Sequence, residues 1–146
     1  MIVNALPLQP HTRVLEIGCG PGAAARAVVA RLVTGHILAI DRSAKAVAQA
    51  QANATQEIAS GRMSVRHIAI ENFALQPDEA PFDIVFAVRV GALDGRHPKA
   101  GQQALERIAV VLAPGGQLFI DGGQPTTFVP MRPRPARPAG TAAAAG

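Results

Sequence analysis

The chain has 146 residues, enough for one domain with a real core and too few for two, and its 49% hydrophobic content excludes global disorder. Its aromatics are five Phe with no Trp or Tyr, which argues against a base-stacking nucleic-acid surface. The formal charge of +4 does not call for a polyanion, because Arg132, Arg134 and Arg137 sit in a terminal segment and the remainder is close to neutral.

Apolar runs alternate with helix-like stretches, the pattern of a parallel α/β sheet. Arg13 to Ile17 reads as the first strand. The run Val14-Leu15-Glu16-Ile17-Gly18-Cys19-Gly20-Pro21-Gly22 carries it into a glycine loop, and the alanine-rich stretch from Ala23 to about Leu32 suits a helix. That helix would present free N–H groups to the loop. A Thr34-Gly35 break precedes a second strand, His36 to Ile40, ending at Asp41. Ser43 is the expected N-cap of a helix running to about Ser60, with Gly61 as its stop. Met63 to Ile70 is expected as a third strand and Phe82 to Val88 as a fourth, buried on both faces. Pro98 to Leu112 fits a helix with Ala104, Leu105, Ile108, Val111 and Leu112 on one face. Pro114-Gly115-Gly116 is a turn into a fifth strand, Gln117 to Ile120. After Gly123 periodicity fails and proline interleaves with arginine. Residues 1–123 are therefore expected as the folded domain and 124–146 as a flexible tail.

Strand, glycine turn and helix together make a nucleotide-cofactor cradle. The dinucleotide fingerprint is G-x-G-x-x-G, whereas the glycines here run G-x-G-x-G, with Glu16 two residues before the first. A carboxylate at that point is badly placed for a phosphate and well placed for an ammonium group. The pattern E-x-G-x-G-x-G resembles motif I of the class I S-adenosylmethionine-dependent methyltransferases. Pro81-Phe82-Asp83-Ile84-Val85 resembles the family's P-F-D-x-V element, and Leu112-Ala113-Pro114-Gly115-Gly116-Gln117-Leu118 its L-x-P-G-G-x-L turn. The resemblance runs from about residue 11 to 121.

The resemblance implies a Rossmann-like doubly wound sheet of strand order 3-2-1-4-5, S-adenosylmethionine as cofactor, and methyl transfer to an acceptor. The neutral body and the missing base-methylation signature point to a small-molecule acceptor and to no nucleic-acid partner. In that family the glycine loop lies against the amino-acid part of the cofactor, which assigns Glu16, Gly18, Cys19, Gly20 and Gly22. Asp41, with Arg42 beside it, stands where an acidic residue hydrogen-bonds ribose hydroxyls; its other reading is a cap for the next helix. Glu71, Asn72 and Phe73 stand where a short polar element meets the adenine, with Ile70 or Phe73 as the apolar neighbour of the ring. Val88 closes the set at the carboxyl end of the fourth strand. Arg89 and His97 follow at the same sheet edge, where His97 could act as a general base. The alternative is that His97-Pro98 simply precedes a helix.

Cys19 is the only cysteine, which excludes an intrachain disulfide and a cysteine zinc cluster and suits a small packing residue. His11, His36 and His67 are scattered and define no metal site. No apolar run is long enough to span a membrane and Met1 to Pro10 lacks the pattern of a signal peptide, so the expected location is cytoplasmic, with no membrane partner. The family's usual sixth and seventh strands have no candidate sequence. The fifth strand is then an exposed edge, which invites pairing into a homodimer. Two other readings stay open: a SAM-binding module without catalysis, and an NAD-dependent oxidoreductase, against which Glu16 and the glycine spacing argue.

Overall fold

The computed structural model describes residues 2–88, 98–121 and 127–129. Along the chain run β1 (Arg13–Ile17), α1 (Ala23–Val29), β2 (His36–Asp41), α2 (Ala44–Asn53), α3 (Thr55–Ala59), β3 (Met63–His67), β4 (Phe82–Val88), α4 (Pro98–Val111), β5 (Leu112–Asp121) and β6 (Thr127–Val129). Two 3-10 turns, Ile2–Ala5 and Ile70–Asn72, complete the described elements. The sheet order is β3-β2-β1-β4-β5-β6. The first five of these strands are parallel, in the expected order, and β6 is antiparallel to β5.

Side chains alternate across a strand, so a sheet covered on both faces needs apolar residues at nearly every position. β1, β2 and β4 meet that need. Val14, Ile37, Ala39, Ile84 and Phe86 face a cluster with Ala25, Val28, Leu32 and Ala50 from the side of α1 and α2. Leu15, Ile17, Leu38, Ile40, Val85 and Ala87 face the opposite cluster, with Ala104, Ile108 and Val111 of α4. Both layers are closed to solvent at their centres: Leu15, Phe82, Phe86 and Ile108 are completely buried. Each such side chain contributes about 1.5–3 kcal/mol by leaving water. Among the described residues no helix is long and apolar enough to cross a membrane.

Several boundaries differ from the sequence reading. The first helix ends at Val29, short of Leu32, and β5 begins at Leu112 and takes in the Pro114-Gly115-Gly116 stretch expected as a turn ahead of Gln117. The helix expected over residues 43–60 breaks at Ala54, whose φ of −113° and ψ of 29° leave the helical region. The residue before the break, Asn53, directs its amide to the carbonyl of Pro21 at 3.1 Å, a tertiary bond that periodicity does not report. The third strand stops at His67, and Ile70 belongs to the 3-10 turn that follows. Finally, Thr127–Val129 lie in the sheet, although the sequence reading assigned them to the tail. Their backbone pairs with Leu118, Phe119 and Ile120, so β6 covers that part of the edge left open in the expectation. Three residues between Pro125 and Pro130 are too few to show a period, and the pairing is supplied by a template already in place, β5.

Candidate functional site

In an open α/β sheet a ligand crevice forms outside the carboxyl ends of the strands, where the strand order reverses. Here that point lies between β1 and β4, and the glycine loop occupies it. The N–H groups of Gly18 and Cys19 both donate to the carbonyl of Ile40, at 2.9 and 3.0 Å, which fastens the loop to the end of β2. The N–H of Gly20 donates to Oδ2 of Asp41 at 3.0 Å, while Oδ1 of Asp41 accepts from the N–H of Ser43 at 2.9 Å. Asp41 thus shapes the loop and the start of α2 together. Ser43 is the N-cap, as expected, accepting from the N–H of Ala46 at 3.2 Å.

The glycines are not equivalent. Gly20 has φ of +52°, and a Cβ built there meets nothing within 4 Å, so its missing side chain leaves open space. Gly22 has φ of +90°, and a Cβ there would press on Cβ of Ala50 at 3.3 Å. Its smallness serves the packing of α2 against the loop.

Glu16 stands at the base of the loop, in register with Ala39 of β2 and Phe86 of β4. It is 3% exposed, and its Oε1 has no hydrogen-bond partner among the described residues. Burial, and then the charge of Asp41, push its pKa up to about 8. The neighbouring thiol of Cys19 responds to the same surroundings. Burial, then the charges of Glu16 and Asp41, push it up to about 12, against a smaller lowering from a backbone hydrogen bond. A thiol held protonated is a packing group, not a nucleophile.

The remaining expected residues divide. Arg42 is exposed and reaches Glu71 across the crevice rim at 3.8 Å, while Nε2 of His67 meets the carbonyl of Arg42 at 3.0 Å. Glu71 is half-buried and Asn72 exposed, in the 3-10 turn after β3. Phe73 does not fit its expected place. Its ring has no exposed surface and packs beside Phe82 with centroids 6.2 Å apart, in the cluster under α4. It therefore has no face to offer an adenine ring. Ile70, at 3% exposure, is nearly as closed. Val88 is half-buried at the carboxyl end of β4, and Gly18 is exposed at the loop entrance. Arg89 and His97 lie outside the described residues. No group of three or more His, Cys, Asp or Glu among the described residues could hold a metal ion.

Sequence reasoning missed Asn53. Its bond to Pro21 holds the outer side of the glycine loop from α2. The available signal was an Asn in an alanine-rich helix, a residue with poor propensity for a helix interior.

A family model described as a methyltransferase domain matches residues 14–116. A protein-L-isoaspartate O-methyltransferase of Methylorubrum populi is 38% identical over 125 residues, covering 86% of this chain and 51% of that protein. A trans-aconitate 2-methyltransferase of Methylobacterium nodulans is 32% identical over 122 residues, covering 82% of this chain and 41% of that protein. The chain spans about half the length of the curated relatives it matches, or somewhat less. Among solved structures, the Haemonchus contortus phosphoethanolamine N-methyltransferase 2 in complex with S-adenosyl-L-methionine superposes with a TM-score of 0.65 at 25% identity. That match covers 78% of this chain and 25% of the other.

Proposed function

The chain belongs to the methyltransferase-domain family, and from that premise we propose that it transfers a methyl group from S-adenosylmethionine to a small-molecule acceptor. S-adenosylmethionine is the cofactor. The residues present fit it on two counts. A buried carboxyl oxygen of Glu16 is without a partner among the described residues, as a site for an ammonium group requires. The loop beside it is open where a Cβ of Gly20 would stand.

On this reading Glu16 accepts from the cofactor's ammonium group, and the loop backbone from Gly18 to Gly20 lies along its amino-acid part. Asp41 keeps two backbone donors and has lone pairs left for ribose hydroxyls. Glu71 supplies an acceptor for the exocyclic amine of adenine. When bound, the cofactor supplies a methyl carbon activated by its sulfonium. The chain's own share is orientation and exclusion of water. His97 is proposed as the base and Arg89 as a group facing the acceptor.

The single observation that carries the reading is the unpartnered Glu16 at the glycine loop. Calorimetry with S-adenosylmethionine and NAD side by side tests it, and binding of NAD alone would refute it. A labelled-methyl assay then tests transfer. Trans-aconitate and an L-isoaspartyl peptide are the first acceptors to try, because the relatives named for them make carboxylate-bearing acceptors the nearest chemistry. A second reading is a cofactor-binding module without catalysis. Cofactor binding without transfer to any acceptor would select it.

A further inference from the structure

We infer that Glu16 carries a proton in the cofactor-free protein and gives it up to solvent when the cofactor's ammonium group docks, so that cofactor capture is coupled to pH. This rests on the cofactor reading above and adds to it a proton that the reading does not require.

Among the described residues nothing balances a charge on this carboxyl group. Glu16 lies on the central strand β1, 3% exposed, and its Oε1 has no partner among the described residues. An isolated charge in such a place is costly, and the group takes up a proton instead. β4 offers Phe86 and β2 offers Ala39 as register partners, neither of them charged. The end of β2 brings Asp41, a second acid, whose oxygens are already held by the N–H groups of Gly20 and Ser43. The loop brings only the thiol of Cys19. Arg42, the nearest cation in sequence to Asp41, turns to Glu71. No described cation forms an ion pair with Glu16. Burial and Asp41 act in the same direction, and together they push the Glu16 carboxyl to about 8.

An ammonium group arriving at this carboxyl reverses the balance. Attraction between opposite charges is strong where water is excluded. The O–H bond of Glu16 breaks, its electron pair stays on the carboxylate, and the proton passes to bulk water. The carboxylate then accepts an N–H from the cofactor. No covalent bond to the cofactor forms and no other reactant is needed. Cofactor affinity therefore rises with pH until Glu16 is ionised without help.

Titration calorimetry with S-adenosylmethionine on the full chain tests this, in phosphate and imidazole buffers, whose ionisation heats differ. At about pH 6.5 the dependence of the heat on the buffer should report release of about one proton per cofactor bound. The dissociation constant should tighten up to about tenfold per pH unit between about pH 6 and 7.5. The Glu16→Gln variant, neutral and of equal size, should exchange about zero protons and show a flat profile. Infrared difference spectra give a second readout: a protonated-carboxyl band present without cofactor, lost on its addition, and missing from Glu16→Gln. Measurable binding without proton release, or the same release in the variant, overturns the inference and leaves the cofactor reading standing. No binding at any pH removes both together.

Discussion

The two ends of the sheet treat their carboxylates differently. At the amino end, Asp83 of β4 accepts the N–H of Arg13 at 2.9 Å, and the Arg13 guanidinium donates to the carbonyls of Pro81 and Ala80. The same guanidinium lies over the ring of Phe82, 5.3 Å from its centre. His36 nearby has both ring nitrogens engaged, with the carbonyl of Gly61 at 2.8 Å and the hydroxyl of Ser64 at 2.7 Å. At the carboxyl end, Glu16 is more deeply buried than Asp83, Arg13 or His36 and has an oxygen with no partner among the described residues. A polar group whose bonds close within the chain stabilises the fold. One left open in the interior costs free energy that a ligand can recover. The contrast separates scaffold from site without reference to any relative.

The sharpest way to break that contrast is to close the open end. Gly20→Val puts a branched side chain into the space beside the loop, at a φ of +52° that L residues rarely adopt. Binding of S-adenosylmethionine should fall by at least about a hundredfold, near 3 kcal/mol. Isothermal calorimetry measures it, with a thermal melt to confirm that the variant is folded. Undiminished affinity would mean that the open space is not the cofactor's.

The next effect concerns stability, and its sign distinguishes the two ends. Glu16 has a pKa raised from 4.5 to about 8 in the folded chain. Its contribution is therefore fully present below the unfolded value and is lost progressively as pH rises to about 8. His36 works oppositely: burial, the larger cause, together with the charge of Arg13, lowers its pKa against the raising effects of Gly61 and Glu79. Its contribution is present above its unfolded value of 6.5 and is lost as pH falls. The cofactor-free melting temperature should accordingly lose more between about pH 5 and 8 in the natural chain than in Glu16→Gln. Equal slopes would show that Glu16 is ionised throughout.

Asp41 sits between the two categories, because it closes two bonds within the chain and faces the open loop. Asp41→Ala should weaken cofactor binding by about 1–3 kcal/mol and lower the melting temperature as well. A loss of stability with unchanged affinity would make Asp41 purely a brace for the loop.

Most of this architecture was legible in the sequence, for a local reason. A strand buried on both faces must be apolar at nearly every position, and Phe82-Asp83-Ile84-Val85-Phe86-Ala87-Val88 says so alone. Glu16 was legible too, because a carboxylate before a glycine run has little structural use. What failed depended on contacts between distant residues. Phe73 lies next to Asn72 and Glu71 in sequence, yet a 3-10 turn sends its ring inward to Phe82. Nothing in a triplet says which side chain turns in. The bond from Asn53 to Pro21 and the strand Thr127–Val129 on β5 likewise involve remote partners that a local period does not register.

The smallest effect belongs to the closed end. Asp83 belongs to a stretch that resembles a family signature, and the resemblance implies a structural role for it. Its bond runs to the backbone at the first residue of β1, 70 residues earlier in the chain. That bond pins the start of the central strand to the start of its neighbour, at the end of the sheet opposite the glycine loop. The side chain is exposed, so water replaces part of what is lost when it is removed. Asp83→Ala should therefore cost about 0.5–1.5 kcal/mol of stability, the net worth of one such hydrogen bond. Chemical denaturation measures that loss. Cofactor affinity, measured on the same preparation, should stay within about twofold, since a structural bond made in both free and bound states cancels from the binding equilibrium. If affinity falls with stability, the two ends of the sheet are coupled through β1, and the separation of scaffold from site fails at its simplest point.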